Sequence, residues 1–259
     1  MSRASWLLLL LGCAGCDIPI EQDLGSGPVA VSTEPTEGAV GVDRAGPFRV
    51  RFDRPLYPRD LHRGHVRIQS GSTSVFLSPW FEPVDRALHV ELLGDPLEPN
   101  VRYRMVVEGI RDLSLVPMAD PVEVVFETGS EAVGAAPRTE TWAAVAPILA
   151  RCSPCHGGAE PALGLDLSSP EGVERTAIGV VAEGSRIGTQ ADQPWHGTST
   201  LDGLARIDVV GGVGRPAQSY LLYVLLEEDA GHATPLADPP SEDELRALSW
   251  WIRAGAPGE

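Results

Sequence analysis

Several segments in the first half of the chain alternate strictly between apolar and polar residues, which is the pattern of half-buried β-strands. The clearest are residues 48–52, 88–91, 101–105 and 122–126. Proline and glycine separate these runs, so that about seven short strands fit into roughly 100 residues without a helical period. The pattern predicts an all-β, immunoglobulin-like sandwich over residues 29–129. Cysteine is absent from that segment, so we expect no disulfide between the predicted sheets.

The same region carries a family resemblance in four short stretches. They are residues 34–39, 48–56, 97–103 and 126–129. These stretches resemble the opening and the later strands of bacterial Ig-like domains of the SbsA type. The resemblance implies a stand-off or adhesive module of a surface protein, and no catalytic residues come with it.

Residues 1–16 have the composition of an export signal, since Arg3 precedes a run of leucines that is too short to span a bilayer. The run leads into two cysteines, and leucine, a small residue and cysteine together resemble the bacterial lipobox, in which the cysteine is lipidated. Cys13 is the better match and Cys16 the alternative, while an ordinary signal peptide with incidental cysteines is the other interpretation. Residues 17–28 then form a polar tether. We expect a mature protein anchored by lipid to a bacterial membrane, on the periplasmic side or at the cell surface.

A second motif lies beyond a linker rich in glycine, alanine and proline at residues 130–140. Two residues separate Cys152 from Cys155, and His156 follows directly, which is the attachment signature of c-type haem. In such a site the cysteines form thioethers with one haem, and the histidine binds the iron as proximal ligand. We therefore expect one covalent haem c. A disulfide, a redox dithiol and a structural zinc site are the competing interpretations, but the domain has only two cysteines for zinc and no βαβ context for a dithiol.

Helical patterns flank the Cys-x-x-Cys-His motif. A helix is predicted ahead of it from residue 142, with Pro147 near the first turn. Near the other end, residues 241–244 form a capping box, and Gly255 is the expected stop. Between them runs an apolar stripe of Leu245, Leu248 and Ile252, with Trp251 beside it. These patterns predict a mainly α domain over residues 141–259.

Four stretches of this region carry a second resemblance. They are residues 146–149 ahead of the motif, 163–167, 214–222 and 245–256. They resemble the cytochrome c-like domains of planctomycete-type surface proteins. The resemblance implies that the helix before the haem motif packs against the last helix. The expected architecture is therefore multidomain, with an Ig-like sandwich followed by a mainly α cytochrome c-like domain.

The distal iron ligand that this family usually has is missing. Its members place Met-Pro before the last helix, whereas this chain has Thr234-Pro235 there and no methionine after Met118. The sixth position of the iron is then open or filled by a histidine, with His232 the first candidate and His196 the second. Two histidine ligands would lower the reduction potential relative to His/Met, and an open position would allow peroxidase-like chemistry.

Charge narrows the expected partners. All 20 basic residues are arginine against 36 acidic ones, and the formal net charge of −16 argues against a nucleic-acid partner. Residues 139–259 are the more acidic part, with 7 Arg against 17 Asp and Glu, so we expect a redox partner with a basic surface. The sequence thus favours a membrane-anchored electron-transfer cytochrome over an enzyme. An open-site haem enzyme or sensor and a surface adhesion lipoprotein are the alternatives.

Overall fold

The computed structural model describes residues 25–134, 136, 138, 140–182, 201, 203–226 and 238–259. Its N-terminal part contains strands β1 (Ala30–Glu34), β2 (Arg49–Phe52), β3 (Val66–Ser70), β4 (Thr73–Ser74), β5 (Leu77–Glu82), β6 (Ala87–Leu92), β7 (Arg102–Val107) and β8 (Val122–Glu127). They form a first sheet of order β1-β2-β6-β5 and a second of order β4-β3-β7-β8. Each alternating segment contributes to one of these strands, so the predicted all-β Ig-like sandwich is confirmed.

The alternation in β2 shows why these residues form a sandwich. Its arginines are exposed, while Val50 and Phe52 between them are buried. Val50 lies opposite Leu88 of β6, and Met105 of β7 lies opposite Val124 of β8. All five side chains belong to one core between the two sheets. Removal of this apolar surface from water stabilises the fold by about 25 cal/mol for each Å² buried.

The described residues beyond 140 contain helices and a short hairpin around a second apolar core. The elements are α1 (Trp142–Ala150), α2 (Pro170–Thr176), β9 (Val209–Val210), β10 (Val213–Gly214), α3 (Tyr220–Leu225) and α4 (Glu242–Arg253), and short 3-10 turns lie at Pro58–Asp60, Ala162–Gly164 and Pro216–Gln218. α1 contacts α4, where the rings of Trp142 and Trp251 are 6.0 Å apart. The predicted pairing of these two helices is therefore present. Every helix within the described ranges is too short or too polar to cross a membrane.

Both ends of α4 have the predicted caps. The backbone N–H of Ser241 donates to Glu244 Oε2 at 2.8 Å, and the Ser241 hydroxyl accepts from the Glu244 N–H at 3.3 Å, which completes the capping box. Gly255 follows the helix with a φ of +96°. Ala256 N–H donates to the Trp251 carbonyl at 2.9 Å and Gly255 N–H to that of Ile252 at 2.8 Å. This pattern is a Schellman motif, so glycine ends the helix as expected.

The position predicted for Pro147 was wrong. α1 begins at Trp142, which places Pro147 in the sixth helical position and not in the first turn. A proline there has no N–H to donate to the carbonyl of Ala143, four residues earlier. Val145, Ile148 and Leu149 are buried in the second core, and their packing holds the helix across the proline.

A second face of α4 packs against the outer side of the first sheet. The ring of Trp250 stands edge-on to Trp80 of β5 and His89 of β6, with centroid distances of 5.1 and 5.7 Å. Arg253 donates from Nη2 to Glu91 Oε2 at 2.5 Å, and its guanidinium lies 4.7 Å from the Trp80 ring centroid. We call this contact the α4–sheet interface. It joins the Ig-like part of the chain to the helical part.

Glu82 is a fully buried carboxylate at the α4–sheet interface, close to Ser249 of α4. Its oxygens accept hydrogen bonds from the backbone N–H groups of Val84, at 3.2 Å, and Asp85. Burial nevertheless raises the pKa of Glu82, because the charged form loses its hydration. A carboxylate in this position needs those backbone donors to be tolerated.

The first residues of the predicted linker pack against the Ig-like sandwich. Val133 and Gly134 each donate their backbone N–H to Asp43 Oδ2 at 3.0 Å. The Glu131 carbonyl accepts from the Arg44 N–H at 2.8 Å. The chain therefore leaves the sandwich along a defined path.

Candidate functional site

The three residues of the Cys-x-x-Cys-His motif lie on the turn that follows α1. Cys152 N–H donates to the Leu149 carbonyl at 2.9 Å, and His156 N–H donates to the Cys152 carbonyl at 2.8 Å. The turn thus continues the helical hydrogen bonding of α1 to the histidine. Cys152 is half-buried and packs against the second core, whereas Cys155 is exposed. Both side chains are free thiols.

The imidazole of His156 has a defined orientation. Its Nδ1 lies 3.1 Å from the carbonyl oxygen of Ala162. A carbonyl oxygen only accepts, so Nδ1 carries a proton, and in the neutral ring Nε2 then has the lone pair. A histidine held in this way presents Nε2 to a metal, because the hydrogen bond at one ring nitrogen selects the tautomer. Two free thiols and this imidazole are the donors that a covalently attached haem requires, so the residues present fit the group.

A buried arginine supports the loop that carries the Ala162 carbonyl. Arg206 Nη2 donates to the Leu163 carbonyl at 2.5 Å, and its Nη1 donates to the carbonyls of Gly164, at 3.1 Å, and Thr176, at 2.8 Å. Leu163 and Gly164 have φ angles of +55° and +61°, so the chain makes a left-handed turn here. Arg206 thereby fixes the backbone next to the histidine's hydrogen-bond partner. No sequence pattern predicts this role of Arg206, since a single arginine in an apolar segment forms no recognisable motif.

An ion pair connects the end of α1 with the start of α4. Arg151 precedes Cys152 and pairs with Glu244 of the capping box and with Asp238, the latter at 3.4 Å. Burial raises the pKa of the Cys152 thiol, although the neighbouring Arg151 acts in the opposite direction. Reactive dithiols have a lowered thiol pKa, so this environment disfavours a redox dithiol.

The remaining candidate residues fall outside the described ranges. These are His232 and His196, the predicted distal ligands, and Cys13 and Cys16, the predicted lipidation sites. Among the residues that the structure does describe, no three His, Cys, Asp or Glu side chains converge as a metal-binding group. The choice of sixth ligand and of lipidated cysteine therefore stays a prediction.

Comparison with known proteins identifies the first half of the chain. Residues 25–128 match the family described as "Bacterial Ig-like domain". The match ends before Cys152, and no curated protein matches the chain. The sandwich is thus similar to bacterial Ig-like domains.

Several solved structures are similar to part of the chain. Domains 1–6 of the surface layer protein SbsC share 18% identity over 44% of this chain and 15% of theirs, with a TM-score of 0.32. The N-terminal part of the bacterial S-layer protein SbsC shares 18% identity over 44% of this chain and 25% of its own, with a TM-score of 0.31. The alpha-2-macroglobulin of E. coli shares 15% identity over 42% of this chain and 6% of its own, with a TM-score of 0.31. The chain therefore spans no more than a quarter of these proteins' lengths.

Proposed function

We propose that this protein is an exported, membrane-anchored c-type cytochrome that carries one covalent haem for electron transfer. The carrying observation is the turn after α1, on which two free thiols are followed by a histidine whose Nδ1 is bound to a backbone carbonyl. That arrangement supports a proximal iron ligand better than a surface histidine, which needs no selected tautomer. Cys152 and Cys155 would hold the haem, and His156 would bind its iron. Bound haem supplies a one-electron redox centre.

The surrounding residues hold this site in place. The Ala162 carbonyl orients the His156 ring, and Arg206 fixes the adjacent backbone through three hydrogen bonds. Cys152 packs against the core formed with α4, which excludes water from that side of the turn. A rigid support of this kind limits the reorganisation of the ligands between oxidation states.

The anchor and the location are part of the same proposal. Cys13, or alternatively Cys16, would carry the lipid, and the tether would place the Ig-like domain next to the membrane. The match to a bacterial Ig-like family supports an exported or surface location. Covalent attachment suits such a location, since haem outside the cytoplasm cannot be replaced once lost.

Haem attachment is tested by producing the full chain in bacteria that express a c-type cytochrome maturation system. We expect a haem-stained band that survives denaturing electrophoresis, and no such band for the Cys152→Ala/Cys155→Ala double variant. Ser153→Ala is a matched control inside the motif, because its hydroxyl donates only to the Ala150 carbonyl, at 2.8 Å. An unstained full chain next to a stained reference cytochrome from the same cells would reject the proposal.

The sixth ligand is tested by the optical spectrum of the same preparation. A low-spin spectrum in the wild type indicates six ligands, and we expect His232→Ala to convert it to high-spin. If only His196→Ala does so, His196 is the ligand. A high-spin wild type indicates an open position and would favour the haem enzyme or sensor over the electron carrier.

A surface interaction role is the second candidate, and the family match of residues 25–128 favours it. Because α4 covers part of the first sheet, the outer side of the second sheet is the better candidate for such contacts. That side presents exposed charges, among them Arg102 and Arg104 of β7. Binding of the full protein to intact bacterial cells, compared with an Arg102→Glu/Arg104→Glu variant, tests this role. Equal binding of the two proteins would count against it.

A further inference from the structure

A groove of about 820 Å³ lies on the outer side of the first sheet, beside the α4–sheet interface. Its lining comes from the strands β1 and β2, the loop around Asp43, β6 with the turn before it, and the side chains of Arg138 and Trp250. Small-molecule sites have volumes of roughly 300–1,000 Å³ and often lie where two domains meet. The groove has that size and that position.

Each carboxylate of the groove has partners within the protein. Glu34 pairs with Arg49 at 2.5 Å. Asp43 accepts three backbone N–H groups at 2.8, 3.0 and 3.0 Å. Asp85 is bound by Arg246 of α4 at 2.8 Å. The lining contains three arginines, Arg49, Arg51 and Arg138, against these three carboxylates, so it has no net formal negative charge to repel an anion.

Arg51 differs from the other charged residues of the lining. It is exposed on the outer side of β2, and its guanidinium has no hydrogen bond or ion pair with any part of the chain that the structure describes. Its neighbours across the sheet are Ser32 of β1 and Ala87 of β6, both small. A guanidinium offers a fork of N–H donors that matches a carboxylate or phosphate in a bidentate manner. Arg51 therefore has both the donors and the space to bind an oxyanion.

The remainder of the lining suits a polar ring. Hydroxyl groups come from Ser32, Thr33 and Thr36, and an aromatic wall comes from Trp250. The guanidinium of Arg138 lies at this wall, 5.8 Å from the Trp250 ring centroid, and pairs with Glu140 at 3.4 Å. Hydroxyl groups can hydrogen-bond the substituents of a sugar, while an indole ring packs against its apolar side.

We propose that this groove binds a small acidic sugar, whose carboxylate or phosphate group pairs with Arg51. The site is independent of the haem motif, and the proposed electron-transfer function does not enter into it. An anionic group is needed because the binding energy is expected to come mainly from the charge-assisted hydrogen bonds of Arg51. A neutral sugar of the same size would lack them.

Titration of the full protein with glucuronate, glucose 1-phosphate and glucose tests the proposal, with tryptophan fluorescence and calorimetry as readouts. We expect saturable binding of at least one of the two anions, at least tenfold tighter than that of glucose. Arg51→Gln should weaken this binding at least tenfold, and Arg51→Lys should weaken it less, because the charge remains while the fork is lost.

Arg63→Gln is the matched control, since Arg63 is likewise an exposed arginine of the Ig-like part but lies in the loop before β3, outside the groove. It should bind like the wild type, and thermal unfolding should show that all variants are folded. Three results would overturn the proposal: no saturable binding of either anion, binding of glucose with equal affinity, or an Arg51→Gln variant that binds as tightly as the wild type.

Discussion

Arg246 of α4 binds Asp85 of the Ig-like domain through one edge of its guanidinium. Its Nε lies 3.0 and 3.1 Å from the two carboxylate oxygens, and its Nη2 lies 2.8 Å from Oδ1. Asp85 also raises the pKa of Arg246, so the arginine stays charged under all ordinary conditions. This ion pair connects α4 to the turn between β5 and β6 of the Ig-like domain.

Removal of the charge on Asp85 should loosen the α4–sheet interface. We expect Asp85→Asn to lower the free energy of unfolding by about 1–2 kcal/mol, because charge-assisted hydrogen bonds are replaced by weaker ones. Limited proteolysis should then cut the segment of residues 130–140 faster. Glu242→Gln is the control, since Glu242 also pairs with Arg246 but its side chain is 70% exposed, and it should cost less than about 0.5 kcal/mol. Equal losses in the two variants would contradict this assignment.

Protonation of His89 at low pH should reduce the free energy of unfolding. Burial in the α4–sheet interface, with help from Arg49 and Arg253, lowers its pKa from 6.5 to about 4. The unfolded chain therefore binds a proton before the folded chain does, so stability is complete above pH 6.5 and declines as the pH falls toward 4. The loss from this residue amounts to at most about 3 kcal/mol.

His89→Phe keeps a ring next to Trp80 but cannot be protonated. The free energy of unfolding of both proteins can be measured with denaturant between pH 8 and pH 4. The difference between the variant and the wild type should shift in favour of the variant as the pH falls. Burial raises the pKa of Glu82, so this residue alone would make the folded state more stable as the pH falls. Both proteins contain Glu82, so its contribution cancels when their free energies of unfolding are subtracted. A difference in the free energy of unfolding that stays constant with pH would show that His89 does not titrate in this way.

Gly214 should not tolerate any side chain. A Cβ at this position would lie 1.5 Å from the carbonyl oxygen of Ile252 in α4, and backbone must move to make room. We expect Gly214→Ala to lower the free energy of unfolding by about 2 kcal/mol or more. Val213→Ala, at the exposed neighbouring position, should change it by less than about 0.5 kcal/mol. Thermal and urea unfolding provide the measurement, and a fully stable Gly214→Ala would show that this contact relaxes easily.

Arg206 should stabilise the loop beside His156. Arg206→Met leaves the carbonyls of Leu163, Gly164 and Thr176 without their donor, and we expect a loss of about 2–4 kcal/mol. Arg206→Lys should recover part of it. Arg175→Met serves as control, because Arg175 is largely exposed and forms an ion pair with Asp166 at 3.3 Å. In the haem-loaded protein, only the Arg206 variants should shift the reduction potential, and an unchanged potential would limit Arg206 to a role in folding.

Electron transfer should depend on salt if the partner has a basic surface. The acidic second half would attract such a partner at low ionic strength, and screening within about 10 Å at 0.1 M salt would reduce the attraction. Stopped-flow rates between the haem-loaded protein and a small basic redox protein should therefore fall as salt rises, whereas rates with an acidic one should not. Salt-independent rates with the basic protein would contradict the proposed partner.

The sequence predicts this structure best where one local rule acts alone. Alternation in segments such as residues 48–52 is enough to give strands, because one face of each strand enters the core. The capping box and Gly255 fix the ends of α4 through hydrogen bonds within a few residues. The position predicted for Pro147 within α1 was wrong, because the packing of this helix outweighs the usual preference of proline for the first turn.

Contacts between distant residues could not be predicted. Arg246, Trp250 and Arg253 have the spacing of a solvated helix face, and the sequence gives no sign that a β-sheet covers them. The hydrogen bond from His156 to Ala162 depends on a left-handed turn at Leu163, a residue that rarely adopts one. In both cases the decisive partner is set by the tertiary fold.

The position of α4 after the sandwich has a consequence for how the chain matures. Trp80 and Glu82 belong to β5, which leaves the ribosome long before residues 242–253 do. Until that helix arrives, the newly made sandwich exposes an aromatic surface and an uncovered carboxylate, in the state in which nascent domains associate wrongly. The Ig-like domain is thus completed only when α4 has been made, and a ribosome that stalls before α4 would release a domain prone to aggregate.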